Sequence, residues 1–324
     1  MTKIQKKYLN ILIKVGIVAL AMWFVFSKVS NQNNLIAFKK LIQNIDHTTM
    51  WFIIAVVFLL MFLNWFLEVV KWKFLARKIE ELTLWKATKS VFCGLTWAIF
   101  TPNRIGEYGG RIMVLKPEHR AKAAVSMGVG LFGQLVLTSV FGALSIAWFV
   151  TKFIDTPTSV DFGIWILAII YALAFVVLYF NVSWIDYLVG KIKFLKKIKP
   201  FFAVLEDYST KELAYVLWLS TCRFAIFTSQ YIILMLIILP ELPVVSMVLM
   251  IFIMFFIQSA LPTLDIFDFS VRSFVASNLY AYITTQEIAV MAIVSFVWFV
   301  NLIFPAIIGS FFVLNVNYIG DSKS

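Results

Sequence analysis

Long apolar runs separated by short polar clusters dominate this chain. A helix needs about 20 apolar residues to cross a hydrocarbon core about 30 Å thick. Six runs meet that length, at about 8–27, 51–70, 123–150, 162–180, 213–239 and 286–316. The longest exceed the core and must tilt or protrude. The first follows Lys3, Lys6 and Lys7 and resembles a signal peptide, with Ala19-Leu20-Ala21 as a cleavage site. That site lies inside the apolar run, with too little hydrophobic sequence before it, so the run reads as an anchor. Two further runs, 91–100 and 244–261, give way to proline and polar residues. Each predicts one arm of a hairpin that enters the membrane and turns back, near 91–115 and 244–282. The expected fold is an all-α polytopic integral membrane protein: one membrane domain over 1–324, about six full spans plus two re-entrant or broken helical hairpins, and no soluble domain.

Composition agrees with that pattern. The chain is 62% hydrophobic and 14% charged, against roughly 45–50% and 25% in soluble domains. Cys93 and Cys222 lie in apolar runs, and His47 and His119 lack ligand spacing, so neither a disulfide framework, a metal site nor another cofactor is expected. The net charge of +11 would suit nucleic acid only if the bases formed a folded polar face, and they fall in loops between apolar runs. No nucleic-acid partner is expected. Sorted by side, 22 of the 28 bases fall on the side of the N-terminus, four on the other, and Arg223 and Arg272 at membrane depth. By the positive-inside rule both termini are cytoplasmic. Gly128, Gly130 and Gly133 fit G-x-G-x-x-G but follow no strand, so they read as helix-packing positions.

That layout makes the first hairpin enter from the cytoplasm and the second from outside. Their sequences, SVFCGLTWAIFTPNRIGEYGGR (90–111) and MIFIMFFIQSALPTLDIFDFSVR (250–272), run alike from an apolar half-helix through Pro102 or Pro262 and a polar turn to arginine. An inverted repeat with broken helices exposes backbone groups and helix ends at depth, the construction of many transporters; two independent proline kinks are the simpler alternative. Pro102, Gly106, Gly109, Gly110 and Pro262 are the expected break residues. Glu107 and Arg111 stand at i and i+4, an ion-pair spacing. Arg104 and Arg111 suit a lipid phosphate, with Glu107 orienting Arg111 or meeting a cationic headgroup. Arg223 is costly at depth and needs a partner or a wet cavity. Asp265 or Asp268 is the expected partner, Gln230 shares its face, and Arg272 with both aspartates forms an outward counterpart of the first cluster. Glu68 reads as a local pair with Lys71, and Gln134 and Asn301 as interhelical hydrogen-bond partners. The segments 73–90 and 191–212 suit either interfacial helices on an anionic leaflet or ordinary basic loops; Lys193, Lys196, Lys197 and Lys199 would gather anionic lipids.

The segment TPNRIGEYGGRIMVLK resembles the signature of the lysylphosphatidylglycerol synthase transmembrane (flippase-like) family, whose first motif runs Pro-Gly-Arg-x-Gly-Glu-x-x-Arg. Pro102, Arg104, Gly106 and Glu107 match in place; Asn103 replaces a glycine and Arg111 comes one residue late. A second motif matches more loosely at Pro262 and Ser270-Val271-Arg272, without a glutamate beside the arginine. The resemblance implies a stand-alone bacterial membrane domain, in the cytoplasmic membrane, that moves or presents lipid headgroups. In the synthases an aminoacyl transferase follows. About eight residues follow the last span here, so lipid aminoacylation is not expected and the chain reads as a non-enzyme. The expected function is translocation or binding of anionic or modified phospholipids or polyprenyl lipids. The alternatives are a secondary transporter of a small anionic solute and a non-transporting scaffold for a separately encoded envelope enzyme.

Overall fold

The computed structural model describes residues 45–99, 101, 104–191, 199–261 and 268–313, with 36, 39, 40 and 43. The expected span at 8–27, Pro102, Pro262, Asp265 and the Asp268 side chain lie outside the described residues. The described elements are helical, with no strand among them: α1 (His47–Ala76), α2 (Leu84–Ile99), α3 (Ile105–Ile112), α4 (Arg120–Phe153), α5 (Thr158–Phe180), α6 (Trp184–Lys191), α7 (Thr210–Ile238), α8 (Val244–Ala260), α9 (Asp268–Tyr280), α10 (Glu287–Trp298) and α11 (Phe304–Val313). The protein is an all-α polytopic membrane protein. Five helical stretches are long and apolar enough to span: α1, α4 with its preceding turn, α5, α7 and the α10–α11 unit. Large apolar side chains point outward, such as Phe62 and Phe66 on α1 and Leu167, Ile170 and Leu173 on α5. Such faces need hydrocarbon rather than water as their solvent.

The two ends of the bundle differ in charge. Arg77 donates to Glu212 at 2.6 Å, Lys78 to the Asp207 carbonyl at 3.0 Å, and Tyr208 Oη to the Leu75 carbonyl at 3.0 Å. These contacts join the end of α1 to the start of α7. Glu80 accepts the Lys116 N–H at 3.1 Å, meets His119 Nδ1 at 2.9 Å and binds Lys86, tying the α1–α2 loop to the α3–α4 loop. This end therefore gathers Arg77, Lys78, Lys86, Lys116 and Arg120. The opposite end carries Asp46, Asp155, Asp161, Glu241 and Glu287 beside Lys152. The open end of the α2–α3 hairpin lies at the basic end. The α8–α9 hairpin opens at the acidic end, closed there by Tyr280 Oη donating to the Met247 carbonyl at 2.8 Å.

Helix α2 starts at Leu84, before the apolar run at 91, because Thr83 Oγ1 accepts the Lys86 N–H at 3.2 Å and caps it. Segment 73–90 is accordingly the end of α1, a loop and the start of α2, not an interfacial helix. A Cβ on Gly110 would stand 2.6 Å from the Cys93 carbonyl oxygen, and one on Gly106 2.2 Å from that of Trp97, so α2 and α3 touch backbone to backbone. Gly109 faces open space. Of the α4 glycines, Gly130 packs against Leu75 whereas Gly128 meets nothing. The last span is interrupted by a π-helical turn, Phe299–Ile303. Pro305 has no N–H for the Asn301 carbonyl, and the Trp65 indole N–H takes that oxygen at 3.1 Å.

Gly110→Ala is expected to cost about 1–3 kcal/mol through overpacking, whereas Gly109→Ala stabilises by about 0.5–1 kcal/mol; thermal unfolding in detergent of both variants measures the contrast. Burial raises the Glu80 carboxyl, but Lys86, His119 and the Lys116 N–H outweigh it and hold the pKa at about 2, below the ordinary 4.5. A lowered carboxyl pKa contributes stability that is complete above the ordinary value and is lost as pH falls through the lowered one. Glu80→Gln is thus expected to lose about 1 kcal/mol at pH 7, solvent screening included. The gap from wild type in unfolding midpoint should close as pH drops from 4.5 towards 2.

Candidate functional site

The inner ends of the two hairpins meet at a cavity of about 340 Å³ in the middle of the bundle. Arg104, at the tip of the first hairpin, and Ser259 and Arg272, near the tip of the second, line it together with Glu68 and Lys71 of α1, Gln134 and Thr138 of α4 and Arg223 of α7. Arg223 lies about 20 Å along α7 from its start at Thr210, at 1.5 Å per residue.

A chain of ion pairs forms the wall. Glu68 Oε1 accepts from Arg111 Nη1 at 2.7 Å, while Oε2 binds Lys71 Nζ at 2.8 Å and Arg223 Nη1. Glu107 Oε1 binds Arg111 Nη2, and Oε2 accepts from Arg104 Nε at 2.9 Å. Arg223 Nε donates to the Asn64 carbonyl and to Asn64 Oδ1 at 3.1 and 3.0 Å. Each inner arginine also lies over an indole, Arg223 over Trp65 at 5.2 Å and Arg111 over Trp72 at 5.9 Å. The rings are held: Trp65 by the Asn301 carbonyl, and Trp72 by Ser90 Oγ at 2.8 Å, which in turn donates to the Arg111 carbonyl at 2.8 Å. Buried charges survive when they are paired and hydrogen-bonded in this way; among the described guanidinium donors of the wall, Arg111 Nε is the one buried without a partner.

The tip of the first hairpin is locally special. Arg104 has φ 56°, the positive φ of a non-glycine among the described residues. A left-handed residue costs about 1–2 kcal/mol, a strain that clusters at functional sites. Thr101 Oγ1 accepts the Gly106 N–H at 2.7 Å and donates to the Trp97 carbonyl at 3.1 Å, joining the end of α2 to the start of α3.

These positions revise several expectations. Arg223 pairs with Glu68 and Asn64, because α1 and α7 pack at that level; its expected partners, the Asp265 and Asp268 side chains, lie outside the described residues. Arg272 and Arg104 line one cavity. Arg111 is 2% exposed and stands behind the wall, held by Glu68 and Glu107. Its late position relative to the family motif puts it at i+4, where it reaches Glu107. Gln230 is fully buried, donating to the Val57 carbonyl at 2.8 Å and accepting from Asn301 Nδ2 at 2.8 Å, a bridge between helices. Glu68 pairs with Lys71 as the spacing indicates, yet it is also the common partner of Arg111 and Arg223, which local spacing does not reveal. The available signal was its place in α1: an acid followed by no second acid within the helix, at the depth where Arg223 lacked a partner. The groups of histidine, cysteine and carboxylate needed for a metal are absent among the described residues.

Glu68→Gln leaves three converging cations short of a counter-charge and is expected to destabilise by about 3–5 kcal/mol. Combined with Arg111→Gln, the loss should be less than the sum, because both changes break one network. Unfolding midpoints of the two single variants and the double variant measure both effects.

The comparisons bear on the whole chain. No match was found among curated proteins or among solved structures. The family model described as the lysylphosphatidylglycerol synthase TM region matches residues 11–309, which include both hairpins and every described residue of the cavity. The chain belongs to the lysylphosphatidylglycerol synthase TM region family.

Proposed function

We propose that this protein binds anionic or modified phospholipid headgroups, or those of polyprenyl lipids, in the cavity between the hairpin tips and passes them between leaflets without enzymatic chemistry. Family membership links the chain to lipid handling. The observation that carries the finer reading is a cavity at membrane depth lined by Arg104, Arg223 and Arg272, where hairpins opening at opposite ends of the bundle meet. Guanidinium groups match phosphate oxygens in geometry and charge. A volume of about 340 Å³ suits a headgroup, with the acyl chains left in the bilayer.

Two-sided access follows from the inverted placement of the hairpins, which we read as an inverted repeat in the bacterial cytoplasmic membrane with both termini and the basic end cytoplasmic. Glu68 and Asn64 fix Arg223 in place, so an arriving phosphate meets a preorganised donor. Arg104, at the rim, is the group that exchanges Glu107 for ligand. With no nucleotide-binding loop in the sequence, direction comes from a gradient or from lipid imbalance. A separately encoded envelope lipid-modifying enzyme would supply or consume the lipid.

Transfer of fluorescent phosphatidylglycerol between leaflets in proteoliposomes tests this. Arg104→Gln and Arg272→Gln should each slow transfer about tenfold, one lost charge-assisted contact being about 1.5–3 kcal/mol. Rates equal to wild type in both variants, or to protein-free vesicles in wild type, would refute the assignment.

A further inference from the structure

A second cavity, of about 390 Å³, lies nearer the basic end, beside the first half of α4. Gly128 and Phe132 of α4 form one wall, Val182 and Ile185 at the turn into α6 another, and Phe202 and Leu205, on the way to α7, a third. The described lining side chains are all hydrocarbon. A Cβ on Gly128 would meet nothing within 4 Å, so the space begins at the helix backbone. Water gains no hydrogen bond from such walls, whereas a hydrocarbon chain gains dispersion contacts from all of them.

The surroundings are those of a membrane surface. Gly128 lies eight residues into α4, about 12 Å along the helix, from the end where Arg120 Nε donates to the Leu115 carbonyl at 3.2 Å. Trp184 and Tyr187 of α6 are exposed, and both residue types favour the headgroup level of a bilayer. Lys191 closes α6, its ammonium 4.4 Å from the centre of the Tyr187 ring. Lys199 is half exposed, and its Nζ stands 3.8 Å from buried Asp186, too far for a hydrogen bond. From Trp184 to Asp207 the sequence has five lysines against Asp186, Glu206 and Asp207, and Arg120 and Lys122 begin α4. The charge around the mouth therefore complements an anion.

We propose that this cavity seats one acyl chain of an anionic phospholipid from the leaflet at the basic end, with Lys191 and Lys199 on its phosphate. The seat is separate from the cavity between the hairpin tips, and its lipid is a bound component of the protein. The chain fastens α6 and segment 199–205 to α4. Phe132 of the seat follows Leu131 of the central cavity along α4. Its ring lies 5.7 Å from that of Tyr179, whose Oη donates to the Leu213 carbonyl at 2.9 Å. A seated chain thus steadies one wall of the central cavity from behind.

Photolabelling of the purified full chain by phosphatidylglycerol with a diazirine on one acyl chain tests the seat, with labelled peptides read by mass spectrometry and lipid-free unfolding midpoints as the folding control. Wild type should be labelled within 124–132 and 182–185, and unlabelled phosphatidylglycerol should compete about tenfold better than phosphatidylcholine. Gly128→Leu fills the space from the helix side; label at these positions should fall about tenfold while the midpoint equals or exceeds that of wild type. Lys191→Gln with Lys199→Gln should make the two competitors equal. Arg272→Gln, which alters the central cavity, should leave the label unchanged. Label retained in Gly128→Leu, lost in Arg272→Gln or absent from these peptides in wild type overturns the inference, as does a Gly128→Leu midpoint below wild type. Equal competition in wild type overturns it too, and so does a dimer in which a second copy covers these peptides against the label.

Discussion

One carboxylate, Glu68, sets the interior electrostatics of this protein. It joins three cations from three helices, Lys71 on its own α1, Arg111 on α3 and Arg223 on α7, at a level where an uncompensated charge is costly. The position of the first hairpin follows from it, since Arg111 is the ionic link between α3 and the bundle. The preorganisation of Arg223 follows as well, because the same carboxylate and Asn64 fix its guanidinium. Glu107 then extends the chain of charge to Arg104 and the cavity rim.

The segments around this hub are suited to hold still. Trp65 and Trp72 place aromatic faces against the two inner arginines, and both indole N–H groups are anchored. The anchor of Trp65 exists because Pro305 cannot use the Asn301 carbonyl, so one backbone defect in the last span steadies a side chain of the first described one. Such exchanges are the means by which irregular backbone is accommodated inside a membrane.

Much of the architecture was legible in the sequence, because apolar run length and charge distribution report directly on what the bilayer permits. Five expected spans correspond to described helices, and of the glycines read from 102–110, Gly106 and Gly110 make close backbone contact whereas Gly109 meets nothing within reach. The site was legible in its arginines, since a charge at depth stands out against apolar neighbours. Its connections were not. Glu68 and Lys71 satisfy each other's local spacing, so nothing in one helix discloses that α3 and α7 deliver two more cations. The spatial neighbours of Arg223 come from helix packing, which a single sequence leaves open.

The contact of α2 with α3 through bare backbone has a mechanical consequence. With no side chains interposed at Gly106 and Gly110, the two helices have neither lubricant nor clearance, and sliding one past the other would bring carbonyls into collision. The first hairpin is therefore a stiff lever. Its fulcrum is the pair of loops that Glu80 clasps at the basic end, and its far end carries Arg104. Any rearrangement that alters access to the cavity from this side has to tilt the hairpin as a unit, and a small rotation at the clasp becomes a larger displacement of the arginine.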